Sequence, residues 1–165
     1  MRRLPKQVGA QLSGRPLAWA RTETGWVAGT RTEFVSVPDD AEAATVVLGW
    51  EQIEAADWVS DESRLTVSEV GSYGEPRATH VFTLDEPGRI LELVRERVTA
   101  SVVLQRWVPV ADKRGLRVIG RRSPAGGPVA WMHEYDENVD PDDPEVAAVA
   151  ERALAAARAD VGDSI

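Results

Sequence analysis

The sequence predicts an α+β fold built mostly from antiparallel strands, and three observations carry that reading. Short apolar runs with a period of two, rich in β-branched and aromatic residues, occupy most of the chain before Asp85. A run with the helical period follows Pro87-Gly88, and a second, alanine-rich one closes the chain. Between these two lie further strand-like segments, so strands outnumber helices.

Residues 1–15 lack periodicity and contain Pro5, Gly9 and Gly14, which reads as a flexible N-terminal tail. PLAWAR and WVAGTRTEFVSV then face each other across Thr22-Glu23-Thr24-Gly25, with glycine expected to supply the positive φ of a tight hairpin. Thr32, Phe34 and Ser36 against Glu33, Val35 and Val37 give less clean faces, which predicts an edge or bulged strand. Beyond Pro38-Asp39-Asp40, VVLGWEQIEAADWVSDESRLTVSEV holds at least two strands, GSYGEPRA is a loop and THVFTL another strand. Five or six strands are therefore expected before the first helix.

In that helix, RILELVRERVTASVVL, one arc carries Ile90, Leu91, Val94, Val98, Ser101 and Val102, with Leu93 and Leu104 beside it. Asp85 and Glu86 stand near its positive end. Arg97 projects into the apolar arc beside Ser101, which predicts a structural buried charge that must find acceptors or else snorkel to the rim. A hairpin about Ala111–Gly115 follows, then the strand PVAWMHEY after Ser123–Pro128. The last helix presents Val146, Val149, Ala150, Ala153, Leu154, Ala157 and Val161 as one stripe and stops at Gly162. The expected organisation is a tail over 1–15, a β-rich unit with its helix over 16–104, and a three-strand meander with a C-terminal helix over 105–165, packed with the first part.

The chain has 165 residues and no cysteine, which excludes disulfides, thiolate metal sites and cysteine nucleophiles. Its basic start, MRRLPKQVGA, has no apolar segment behind it, and no apolar run approaches the ~18 residues of a membrane span, so a cytoplasmic protein is expected. A formal charge of −8 argues against nucleic-acid binding, which draws on cationic neutralisation of phosphate. The charge is blocked: eleven acids to one base from Glu33 to Glu75, nine bases to three acids from Arg89 to Arg122, ten acids to two bases from Glu134 to Asp163. Such a pattern can steer an oppositely patterned protein or a second copy.

Asp136, Asn138, Asp140 and Asp142 alternate like calcium-loop oxygens, yet Pro141 stands where the loop needs glycine and Ala147 where it needs a bidentate glutamate. Asp143 as N-cap, Pro144 as first helical residue and Glu145 at the dipole's positive end explain the same stretch as a helix start. No metal site is expected. His133 alternates with Trp131 and Tyr135, and His80 with Phe82 and Leu84; neither has the nucleophile or paired carboxylate that acid–base chemistry requires. With no nucleophile elbow, zinc-binding helix or phosphate loop, no catalytic residue and no cofactor are assigned. The basic set Arg106, Lys113, Arg114, Arg117, Arg121 and Arg122 remains: Arg117 and Arg121 share strand parity with Ile119, Arg122 with Leu116 and Val118. Six tryptophans against two phenylalanines and two tyrosines fall in predicted strands, and one lying outside the core would mark an interface. The candidate ligand or partner-binding residues are Arg106, Trp107, Arg117, Arg121, Arg122 and His133.

The opening WVAGTRTEFVSV hairpin, Trp50-Glu51-Gln52-Ile53, Leu65-Thr66-Val67, Val81-Phe82-Thr83-Leu84 and the helix from Arg89 make residues 17–104 resemble a bacterial pleckstrin-homology-like or GRAM-like domain. That resemblance implies a roll of two sheets closed by an amphipathic helix, serving as a binding or assembly platform without catalytic residues. Where lipid-binding members carry basic residues in the first hairpin loop, this chain has Thr22-Glu23-Thr24-Gly25. The leading expectation is a non-enzymatic cytosolic interaction or scaffold domain that binds a protein or associates with itself. The alternative is a small ligand-binding protein or enzyme with a cleft near His133 and the hairpin 106–122; the third is a peripheral binder of anionic membranes, which the net charge disfavours.

Overall fold

The computed structural model describes residues 2–71 and 75–162. The chain forms two compact units, Met1–Ala100 with Ser123–Ala125 and Ser101–Arg122 with Gly126–Ile165. The predicted loop GSYGEPRA has its residues 72–74 outside the described part.

In the first unit β1 (Ala18–Arg21), β2 (Gly25–Gly29), β3 (Glu33–Pro38) and β4 (Val46–Gly49) form an antiparallel sheet in chain order. A second antiparallel sheet holds β5 (Ile53–Val59), β6 (Arg64–Glu69) and β7 (Thr79–Thr83). An isolated bridge between Thr22 and Leu84 ties the first hairpin turn to the end of β7. Among the described residues seven strands thus precede the amphipathic helix α2 (Ile90–Ser101), where the sequence suggests five or six. A 3-10 turn over Trp50–Gln52 divides β4 from β5. Trp50 therefore lies in that turn and not in a strand, fully buried, with its Nε1 donating to the Thr30 carbonyl at 3.0 Å. Phe34 meets it edge-on, and Ile53, Leu65, Val67 and Leu84 complete the core with Ile90 and Val94 of α2. α2 comes so close to β2 that a Cβ at Gly29 would lie 2.5 Å from Leu93 Cδ2.

β3 is an interior strand, not an edge, and both of its faces are covered. Phe34 enters the main core; Val35 and Val37 pack on the other side with Val8, which α1 (Lys6–Gly9) supplies. The blurred alternation is that of a strand buried twice. The opening residues, expected as a loose tail, accordingly hold a buried side chain, with Val8 only 4% exposed and Leu4 and Leu12 beside it. Gly25 does not take a positive φ; it is required because a Cβ would sit 2.2 Å from the Val37 carbonyl oxygen.

The helical run was expected to reach Leu104, but α2 ends at Ser101, and Val102 and Leu104 belong to β8 (Val102–Ala111). The β-branched pair Val102-Val103 fits a strand better than a last helical turn, and Val102 pairs with Arg121. β8, β9 (Arg114–Arg121) and β10 (Ala130–Tyr135) form an antiparallel sheet in the order β10-β9-β8. The helix α3 (Pro144–Val161) lies on one face, burying Val146, Ala150, Ala153 and Ala157 against Leu116 and Val118. Asp143 caps it by accepting the Glu145 N–H at 2.9 Å, and Gly162 ends it in the left-handed conformation at φ 74°.

Candidate functional site

Strand register sorts the candidate residues of the second unit onto two sides of its sheet. Arg106, Val118 and His133 stand opposite one another, as do Trp107, Arg117 and Glu134 in the next row. Since Val118 packs with α3, the first row faces the helix and the second faces away.

On the helix side both polar residues are engaged. Arg106 pairs through Nη2 with Asp160 of α3, and His133 Nε2 donates to the Ala150 carbonyl at 3.1 Å. Arg106 thus links the basic hairpin to the acidic helix. Trp107 and Arg117 of the hairpin stand on the other side of the sheet from His133.

That other side carries Trp107, 43% exposed, with Val103 at 40% and exposed Gln105 and Pro109 along the same strand. Trp107 is held in place. Its Nε1 donates to Asp136 Oδ2 at 3.0 Å, and the Gly115 N–H donates to the same oxygen at 2.7 Å. The indole lies against Gly115 so closely that a Cβ there would come within 2.9 Å of two ring atoms. The Trp107 indole N–H and then the Gly115 N–H hold the Asp136 carboxyl below the usual aspartate range, with the Arg117 charge adding to them against desolvation. Arg117 Nη1 stands 3.9 Å from Glu134 Oε2.

Arg121 and Arg122 are not part of this exposed set. Arg121 is 6% exposed and its Nη1 donates to Ser101 Oγ at 3.3 Å, while Arg122 is half-buried, its N–H bonded to the Ser101 carbonyl at 2.9 Å. Arg97, expected as the buried charge, is half-buried and borders a concavity of 260 Å³ with Arg89, Glu92 and Glu96. Its Nε is buried and has no hydrogen-bond partner among the described residues. His80, on the inward side of β7, pairs with Glu69 at 2.8 Å.

In the acidic stretch, Asp140 and Asp143 spend one carboxylate oxygen each on the Asp142 and Glu145 N–H groups. Among the described residues no group of three or more histidines, cysteines, aspartates or glutamates is placed to hold a metal ion. None of the helices among the described residues is long and apolar enough to cross a membrane.

Sequence reasoning named Trp107 and Arg117 but missed Asp136 and Gly115, the two residues that set the indole. Asp136 stood out only as a potential calcium ligand; its bond to a residue 29 positions earlier depends on the β8-β9-β10 register, which local patterns do not give. No protein-family model matches the chain, and no curated protein or solved structure matches it either.

Proposed function

We propose that this protein is a non-enzymatic cytoplasmic interaction domain, a pleckstrin-homology-like roll extended by a three-strand unit whose outward side binds protein. The observation that carries this reading is Trp107, an exposed tryptophan locked by Asp136 and Gly115. Large aromatics anchor protein interfaces, and a ring fixed beforehand gives up little conformational freedom on binding. The four-strand and three-strand sheets closed by α2 support the platform role that the resemblance implies. Engagement of His133 and His80 in bonds to Ala150 and Glu69 supports binding rather than acid–base chemistry. Anionic membranes are disfavoured because Arg106 is paired, Arg121 is buried and the chain carries a net −8.

The test places a photoreactive phenylalanine analogue at position 107 and, as control, at exposed Asp57. Discrete protein adducts from 107 but not from 57 support the reading. Absence of protein adducts, together with salt-sensitive pelleting on phosphatidylserine vesicles that Arg117→Glu abolishes, would assign the surface to membranes instead.

A further inference from the structure

We infer that β8 is a self-pairing edge: two copies of this chain join antiparallel along Val103–Trp107, about a two-fold axis through Gln105. The inference rests on the reading of the Trp107 side as an interaction surface and names its occupant.

β8 is ten residues long and lies at the end of the order β10-β9-β8, so among the described residues no strand pairs with its outer edge. An uncovered edge offers a row of backbone donors and acceptors that another strand satisfies. Natural edges are usually blunted by lysines, prolines or inward charges. Here the only charge in the strand is Arg106, which turns to α3 and is neutralised by Asp160. Pro109 and the register irregularities, which fall at Val103 and Val110, bound the regular part of the strand, so Val103 is the last residue that pairing reaches.

The side chains select a second copy and also the register. In a two-fold antiparallel pair, residues of like parity face each other across the axis. An axis at Arg106 would oppose two arginines, and an axis at Trp107 would bring Pro109, which has no N–H, into the paired stretch opposite Gln105. The axis at Gln105 avoids both. It sets Gln105 against its own copy, Val103 against Trp107 on each side, and Arg106 against Leu104, so no like charges meet and an aliphatic–aromatic pair forms twice. The arrangement is isologous and closes at two copies.

The experiment measures mass in solution by light scattering over a concentration series for the wild type, Gln105→Lys, Gln105→Glu and an equimolar mixture of the two variants. Gln105 is exposed, so neither change disturbs the monomer fold; circular dichroism melts verify this. The expected result is a wild-type dimer, monomers for each variant alone, and a restored dimer in the mixture, since lysine and glutamate then face each other. A wild type that stays monomeric to millimolar concentration overturns the inference, as does a dimer that both variants leave intact. In either case heterologous protein adducts from position 107 would still uphold the interaction reading, whereas loss of all protein adducts there would sink both.

Discussion

Trp107 and Asp136 are tied by a 3.0 Å hydrogen bond from the indole to a carboxylate oxygen that also takes the Gly115 N–H. One acceptor thereby fixes an exposed ring and helps fasten the start of β9. The bond links β8 to the residue just after β10, so the position of the exposed indole depends on all three strands of the sheet.

The first prediction concerns pH. The folded Asp136 carboxyl titrates below its ordinary range, so its stabilising contribution is complete above the unfolded aspartate value of about 3.9 and is lost as pH falls through the lower folded value. Asp136→Asn removes the ionised acceptor at every pH. Thermal melts of the two proteins should therefore differ by a steady gap near neutrality that closes in acid, below about pH 4. A gap that persists unchanged in strong acid would show that the substitution acts through packing and not through the charge.

The second prediction concerns Gly115. A Cβ at this position would meet the Val108 carbonyl oxygen at 2.0 Å and the Trp107 ring at 2.9 Å, and the oxygen belongs to backbone that cannot step aside. Gly115→Ala should cost about 1–3 kcal/mol, as overpacking does, and should shift the fluorescence of the displaced indole. Gly126→Ala, whose Cβ meets nothing within 4 Å although φ is 93°, should cost only about 1 kcal/mol and leave the spectrum unchanged. Similar behaviour of both variants would contradict the close contact between Gly115 and Trp107.

Local chemistry made much of this fold legible. Asp143, Pro144 and Gly162 mark the ends of α3, and their signals are short-range, so capping rules read them without tertiary knowledge. The first hairpin and the alternation of Leu65 and Val67 were equally plain. β3 was misjudged because a period of two identifies a buried face only when the other face is wet, and Val8 covers Val35 and Val37. The residue type of Trp50 favours a strand, yet it sits in a 3-10 turn. At the candidate site, Trp107 and Arg117 were named from composition and charge. Their separation from His133 and Arg106 is a matter of which side α3 covers, and parity within one strand does not say which side that is.

The third prediction follows from the N-terminal segment. Val8 is 4% exposed against Val35 and Val37 in a small cluster apart from the main core. Val8→Asp buries a charge without a partner, so the segment should detach and take the transfer free energy of its side chain with it, about 1.5–3 kcal/mol. Hydrogen exchange should rise in residues 6–12 in that variant while β6 keeps its protection. Unchanged exchange over 6–12 would mean that Leu4 and Leu12 hold the segment without Val8.

The fourth prediction sets two arginines against each other. Ser101 was expected beside a buried Arg97, one helical turn away; its hydroxyl instead receives Arg121 Nη1 at 3.3 Å, and both Ser101 and Arg121 are almost fully buried. Arg97 is half-buried beside an open concavity, and its Nε is buried without a hydrogen-bond partner among the described residues. Removing a buried guanidinium leaves its acceptors dry and unpaired, whereas truncating Arg97 removes a buried Nε that has no acceptor to lose. Arg121→Ala should therefore cost about 2–3 kcal/mol, roughly 5–10 °C in a chain of this size, and Arg97→Ala about 1 kcal/mol or less. Arg121→Lys should rescue only part of the loss, because an ammonium cannot reproduce the spread of guanidinium donors. Melts of the three variants under identical conditions decide the matter, and a larger loss for Arg97→Ala than for Arg121→Ala would return the buried charge to α2.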